Sequence, residues 1–324
     1  MTTLEAIQAP INGFVKDFHH SFEHALDSQS EWMTKAIKIL NGSTGKHVRP
    51  LLTGLVAAVC AGKTNSTTLE AAVLLEMIHT ATLIHDDVID MASTRRGVPT
   101  LNAFFDNRVA VLMGDFVLSS ALMRAIALND IRIITIISRL GRELSEGEIR
   151  QFETADKVII DEDIYMGVIR QKTAMLFSAC AEVGAITVQA PVEIVERVKR
   201  VGELLGYAFQ IRDDIFDYYR NDVGKPTGND IREGKITLPL LFALKNEQSA
   251  LRDHCLTILD QKAFSEEDLQ LLTSFAIEHG GIVYAERKMA EFIDKAKAEL
   301  AIFPDSDALQ SLLALADFIV QRAK

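Results

Sequence analysis

Between residues 100 and 190 the chain contains no proline, and Val109, Leu112, Met113, Phe116, Val117 and Ser120 recur on one stripe of helical period. A stretch this long, without a breaker and without the alternation of a strand, restricts the middle of the molecule to helices. The segment from Thr68 to Met91 goes further. It is apolar on nearly every face, which predicts a central helix enclosed by others. Pro191 is expected at the start of a helix running toward Tyr219. From Asn221 to Pro239, three glycines, two prolines and many charges predict a long functional loop. Amphipathic helices follow to the end. With 7 prolines, 18 glycines and 7% aromatics, breakers and strand formers are scarce throughout. No repeat or linker divides the 324 residues. The expectation is an all-α fold of ten or more helices, a large helical bundle forming one domain over residues 1–324.

The charge balance excludes some functions. Against 34 Lys+Arg stand 45 Asp+Glu, a net charge of −11. This disfavours nucleic-acid binding and electrostatic docking to anionic membranes, both of which need a positive field. Cys60, Cys180 and Cys255 are too scattered for a disulfide framework or a zinc site, and read as reduced thiols of a cytoplasmic protein. The first residues lack the basic start and apolar core of a signal peptide. No unbroken run of 18 apolar residues occurs, so no transmembrane helix is expected.

Two short motifs carry the chemistry. Asp86-Asp87-Val88-Ile89-Asp90 and Asp213-Asp214-Ile215-Phe216-Asp217 both read Asp-Asp-x-x-Asp, each near the end of an apolar helix. On a helix, Asp86 shares a face with Asp90 and Asp213 with Asp217, and Gln210 joins the second set. Like charges at this spacing repel, and the negative end of the helix dipole adds to the cost. One such motif is a solvated acidic face. Two identical ones call for hard divalent cations, and Mg²⁺ completes its shell with phosphate oxygens. Basic residues agree: Lys46 and Arg49 upstream, Arg95 and Arg96 after the first motif, Lys172-Thr173 in the middle, and Lys225 and Lys235 in the loop. Together they can neutralise two pyrophosphate groups.

In order along the chain stand Gly45-Lys46-x-x-Arg49-Pro50, Leu83-Ile84-His85-Asp86-Asp87-x-x-Asp90, Arg95-Arg96-Gly97, Gly114-Asp115, Lys172-Thr173, Gln210-x-x-Asp213-Asp214-x-x-Asp217 and Gly224-Lys225-x-x-Gly228-x-Asp230. With these the sequence resembles the trans-polyprenyl diphosphate synthases of the isoprenoid synthase family, and among them the long-chain, octaprenyl-type members. The resemblance implies a bundle with a central active-site cavity, a cytoplasmic homodimer, and Mg²⁺, three ions per site. It implies that Asp86, Asp87, Asp90, Asp213, Asp214 and Asp217 hold the metal on an allylic diphosphate primer. Arg95, Lys172, Thr173, Gln210 and Lys225 would contact that diphosphate, with Lys235 nearby. Lys46, Arg49, His79 and Arg96 would form the pocket for isopentenyl diphosphate. Taken alone, His79 reads as a hydrogen-bonded core histidine.

Product length depends on the floor beneath the metal site. Short-chain members of the family carry an aromatic four or five residues before the first motif. Here those positions are Thr82 and Ala81, both small, with Ile78 one turn further back. A turn of about 5.4 Å is comparable to one isoprene unit, so a long product is expected. Ile133, Ile134 and Ile137 are candidates for the floor. The rivals are a shorter-chain farnesyl or geranylgeranyl diphosphate synthase, a terpene cyclase, and a noncatalytic subunit of a heteromeric synthase. Gly42-Ser43-Thr44-Gly45-Lys46-His47 fails the phosphate-loop spacing, and Glu76-x-x-His79 lacks the second copy a di-iron site needs. Asp161-Glu162-Asp163 reads as solvated surface, and Gln321-Arg322-Ala323-Lys324 as a frayed end.

Overall fold

Asn65 opens the helix Ser66–Ile89 with a capping box: its side chain accepts the Thr68 N–H, and the Thr68 hydroxyl reaches back to the Asn65 N–H. Residues 71–78 are buried without interruption, so this stretch of the helix is enclosed on all sides, as its sequence predicts. The structure is a computed structural model that describes residues 3–26, 28, 30–42, 45–219 and 228–321. Among them are seventeen α-helices, a 3-10 turn, a π-helical turn and one two-stranded hairpin. The fold is all-α.

The chain divides into two compact units. One comprises Met1–Arg139, Ala179–Lys199 and Ile302–Leu315. Its centre is Ser66–Ile89, packed along Asn107–Ala127 and against Val48–Ala61. The inner face of Asn107–Ala127 is Ala110, Met113, Gly114, Val117, Ala121 and Ala125, while Leu112 and Met123 lie outside, 67% and 72% exposed. Of the stripe read from the sequence, Met113 and Val117 belong to this inner face. Small residues let the two backbones approach, and a Cβ on Gly114 would stand 2.2 Å from His85 Nε2. Ser66–Ile89 and Asn107–Ala127 are both long and apolar enough to cross a membrane by length and composition, which a count of unbroken apolar runs misses.

The other unit comprises Leu140–Ser178, Arg200–Ala301 and Ala316–Lys324. Leu238–Asn246 lies against Glu266–Glu278 and Gly281–Leu300. Ile211, Ile215, Leu241, Leu244, Leu272 and Phe275 form its core. Pro191 directly precedes Val192–Phe216, and its carbonyl accepts the first turn's Ile194 and Val195 N–H groups. Of the segment expected as one long loop, Asn229–Arg232 is a helical turn and Pro239 sits in the first turn of Leu238–Asn246, while residues 221–227 lie outside the described residues.

Candidate active site

In the first unit, Asp86 and Asp87 occupy the last turn of Ser66–Ile89 and Asp90 caps it. Asp87 is buried, Asp86 half-buried and Asp90 exposed. Arg95 donates from Nε and Nη2 to Asp87 Oδ1, 2.8 Å each. A hairpin delivers this arginine: Thr94–Arg95 pairs with Val98–Pro99, and Arg96 and Gly97 turn between them at φ 52° and 78°. Two successive positive φ values make the tight turn that suits a two-residue hairpin loop. Strands of two residues are too short to leave an alternating pattern, so the hairpin was invisible in the sequence.

The hairpin also sets Arg96 against the Gly45 backbone, where a Cβ would come within 2.5 Å of its Nη1. Arg49 Nη1 donates to His79 Nε2 at 2.9 Å. An arginine cannot accept, so this ring nitrogen is unprotonated. Burial, then the Arg49 charge, push the His79 pKa down to about 3, with Arg96 and Arg95 contributing and Glu76 opposing. Arg49, His79, Arg95 and Arg96 therefore share one neighbourhood, in which His79 is a hydrogen-bonded histidine. Lys46 is exposed, two residues before the helix Val48–Ala61. Of the chain-length candidates, Ile78 and Ala81 are buried, and half-buried Thr82 donates to the His79 carbonyl at 2.8 Å. Ile133 and Ile137 are buried and Ile134 half-buried.

In the second unit, Asp213 and Asp214 end the helix Val192–Phe216 and Asp217 follows it. Asp214 is buried, its Oδ2 accepting from Tyr165 Oη at 2.5 Å and its Oδ1 from Gln210 Nε2 at 2.8 Å. Gln210 Oε1 accepts in turn from Thr173 Oγ1 at 2.7 Å. Asp213 pairs with buried Arg212, which also donates to the Ile319 carbonyl. The Asp217 carboxylate accepts the backbone N–H groups of Asn229 and Asp230 at 3.0 and 2.9 Å, folding that turn back onto the motif. Lys172, in the π-helical turn Arg170–Ala174, pairs with Glu148 at 2.7 Å and donates to Gln151 at 3.2 Å. Lys235 pairs with Glu233. Lys225 lies outside the described residues.

A cleft of about 840 Å³, part of it open to solvent, gathers Lys172, Thr173, Gln210, Asp214, Asp230 and Lys235 beside an apolar wall of Ile164, Val168, Ile169, Ile236 and Leu241. Burial and the charge of Asp230 raise the Asp214 pKa well above the carboxylate range. Burial and the charge of Asp217 raise that of Asp230 to about 7, against the pull of Lys235 and Lys172. These carboxylates are crowded beyond what the nearby lysines relieve, and such an all-oxygen donor set suits a hard divalent cation. Among the described residues no three His, Cys, Asp or Glu side chains converge to ligate an ion unaided.

Tyr165 and Asp230 are the residues the sequence reading passed over. Asp230 stands in the last quoted motif, which was a signal; Tyr165 sits in an ordinary apolar helix and gives none. Asp161-Glu162-Asp163 is more than solvated surface. Asp161 caps the helix Glu162–Ile169 and lines the cleft, and Glu162 accepts from Tyr284 and pairs with Lys288. Cys180 and Cys255 are buried and Cys60 partly so, all as free thiols.

Residues 30–275 match the polyprenyl synthetase family. The octaprenyl diphosphate synthase of Haemophilus influenzae is 36% identical over 283 residues, covering 86% of this chain and 84% of its own. A polyprenyl synthase of Caulobacter crescentus, solved with calcium and isoprenyl diphosphate, superposes with TM-score 0.93 at 31% identity, over 100% of this chain and 99% of that one. A geranylgeranyl pyrophosphate synthase of Bacteroides thetaiotaomicron gives 0.86 at 37% identity, over 98% and 99%.

Proposed function

The chain belongs to the polyprenyl synthetase family, and on that footing we propose that it extends an allylic diphosphate with isopentenyl diphosphate, head to tail, into a long all-trans polyprenyl diphosphate of octaprenyl type. The observation that carries this reading is the cleft of the second unit. It sets mutually repelling carboxylates and two lysines beside an apolar wall, an address for a diphosphate with a greasy tail. Asp86, Asp87 and Asp90 of the first unit and Asp213, Asp214 and Asp217 of the second would hold Mg²⁺, with Asp230 next to Asp214 and Asp217. The metal supplies Lewis-acid stabilisation of the departing diphosphate.

The chain's own residues do the rest. Lys172, Lys225 and Lys235 neutralise charge that grows on the leaving oxygens, an interaction stronger in the transition state than in the ground state. Thr173 and Gln210 fix the buried Asp214 through their hydrogen-bond chain. Lys46, Arg49 and Arg96 bind the diphosphate of isopentenyl diphosphate. Neutral His79 orients Arg49 instead of adding a competing cation. Apolar walls exclude water from the allylic carbocation, and the double bond of isopentenyl diphosphate captures it. The proton then lost passes to the released pyrophosphate. No nucleophilic serine or cysteine is required. The free thiols suit a cytoplasmic protein, and the exposed apolar stripe of Asn107–Ala127 suits a homodimer.

Small Ala81 and Thr82 support the long product, as does the octaprenyl relative. The test is incubation of the purified chain with Mg²⁺, farnesyl diphosphate and labelled isopentenyl diphosphate, followed by product chromatography. Products near eight isoprene units are expected. Arrest at geranylgeranyl length would favour the short-chain reading, and no condensation the noncatalytic one. In the same assay Ala81→Phe should shorten the product by several units; an unchanged length would detach Ala81 from length control.

A further inference from the structure

Glu76 is the half of Glu76-x-x-His79 that the site above leaves unused. It is 7% exposed, on the enclosed stretch of Ser66–Ile89. His47 Nδ1 lies 3.0 Å from its Oε1, while its Oε2 is buried without a hydrogen-bond partner. A half-satisfied buried carboxylate is costly. Burial opposes its charge, yet the His47 hydrogen bond, with the charges of His47 and Arg49, outweighs burial and holds it ionised.

His47 lies between Lys46 and Arg49 and has φ 47°, in the left-handed region. That conformation is strained for a residue with a side chain and persists only where the surroundings enforce it. The rings of Phe18, Phe22 and His19 surround the imidazole, with centroids 5.2, 5.6 and 5.1 Å away. Glu76 supplies the polar anchor.

We propose that Glu76 is a positioning residue for the homoallylic substrate: by anchoring the His47 imidazole it holds the left-handed turn from which Lys46 and Arg49 reach the diphosphate of isopentenyl diphosphate. The inference rests on the prenyltransferase reading. It opposes simple electrostatics, because a carboxylate near an anion pocket should weaken anion binding. The two accounts therefore predict opposite signs when the charge is removed.

The test is steady-state kinetics of full-length Glu76→Gln, varying each substrate with the other saturating. The KM for isopentenyl diphosphate should rise about tenfold, with kcat and the KM for farnesyl diphosphate within about twofold of wild type. His47→Asn tolerates the left-handed backbone but loses the ring, and should give the same selective rise. The double variant should be no worse than either single one. Should Glu76→Gln fail to fold, His47→Asn decides by the same split between the two KM values. A KM for isopentenyl diphosphate that falls or stays put, or a matching rise for both substrates, overturns the proposal. A wild-type chain that fails to condense the substrates removes the functional reading and this inference with it, whereas an active wild type with unresponsive variants removes this inference alone.

Discussion

His79 keeps an unprotonated Nε2 because Arg49 donates to it, and burial beside three arginines makes its charged form expensive. That has a measurable consequence. In the unfolded chain the imidazole takes a proton below its ordinary value of 6.5, whereas in the folded chain it does so only near 3. Between those values the unfolded state binds more protons, so folding stability falls as pH drops, by roughly 1 kcal/mol per pH unit. Asp214 and Asp230 act with the opposite sign, because their raised pKa values let the folded state take up protons first. Comparison of wild type with His79→Asn isolates the histidine. The variant should lose less stability between pH 6.5 and pH 4.5 in urea titrations, and parallel profiles would contradict a neutral His79. The family resemblance made the histidine a candidate. Its protonation state depends on Arg49, 30 residues away, which spacing along a helix does not reveal.

Helices were legible where one side chain pattern served both propensity and burial. Thr68 to Met91 is apolar on nearly every face, and residues 71–78 are buried without interruption. Asn107–Ala127 was legible as a helix but not in its orientation. The stripe of apolar residues marks the helix without saying which face is inner, and close packing selects the small ones, Ala110, Gly114, Ala121 and Ala125. The same close approach locates His85, next to the first aspartate motif, over Gly114. Gly114→Ala must displace His85 or separate the two helices. Overpacking of this kind costs about 1–3 kcal/mol, and the displaced ring adjoins Asp86, so both the urea midpoint and turnover should fall. A variant of wild-type stability would mean that His85 swings aside at little cost. The Arg96-Gly97 hairpin and the capping role of Asp217 were illegible for another reason. Each depends on two or three backbone hydrogen bonds, with no periodic signal.

At the scale of the whole molecule, the unburied face of Asn107–Ala127 remains to be accounted for. Leu112, Leu122, Met123 and Ile126 recur along it at helical spacing, and Ile131 follows, 73% exposed. Apolar residues scattered singly on a surface are ordinary, but four large ones on one face of one helix, grouped toward its end around Leu122, Met123 and Ile126, mark an interaction surface. The net charge of −11 makes an anionic membrane a poor partner for this face. A second copy supplies the same apolar stripe, and a two-fold axis pairs like with like. The wild-type protein should therefore sediment at twice the chain mass at micromolar concentration. Joint replacement Leu112→Glu and Met123→Glu sets like charges opposite one another across the axis, and should yield monomers with unchanged helix content by circular dichroism. A wild-type protein that sediments as a monomer, or a double variant that stays dimeric, would release the stripe from this role. Because Gly114 and Leu112 lie on opposite faces of one helix, the element that meets the motif helix also carries the face proposed for a second copy. The monomeric variant should accordingly lose turnover as well as mass, and retention of full turnover by a monomer would show that the two faces act independently.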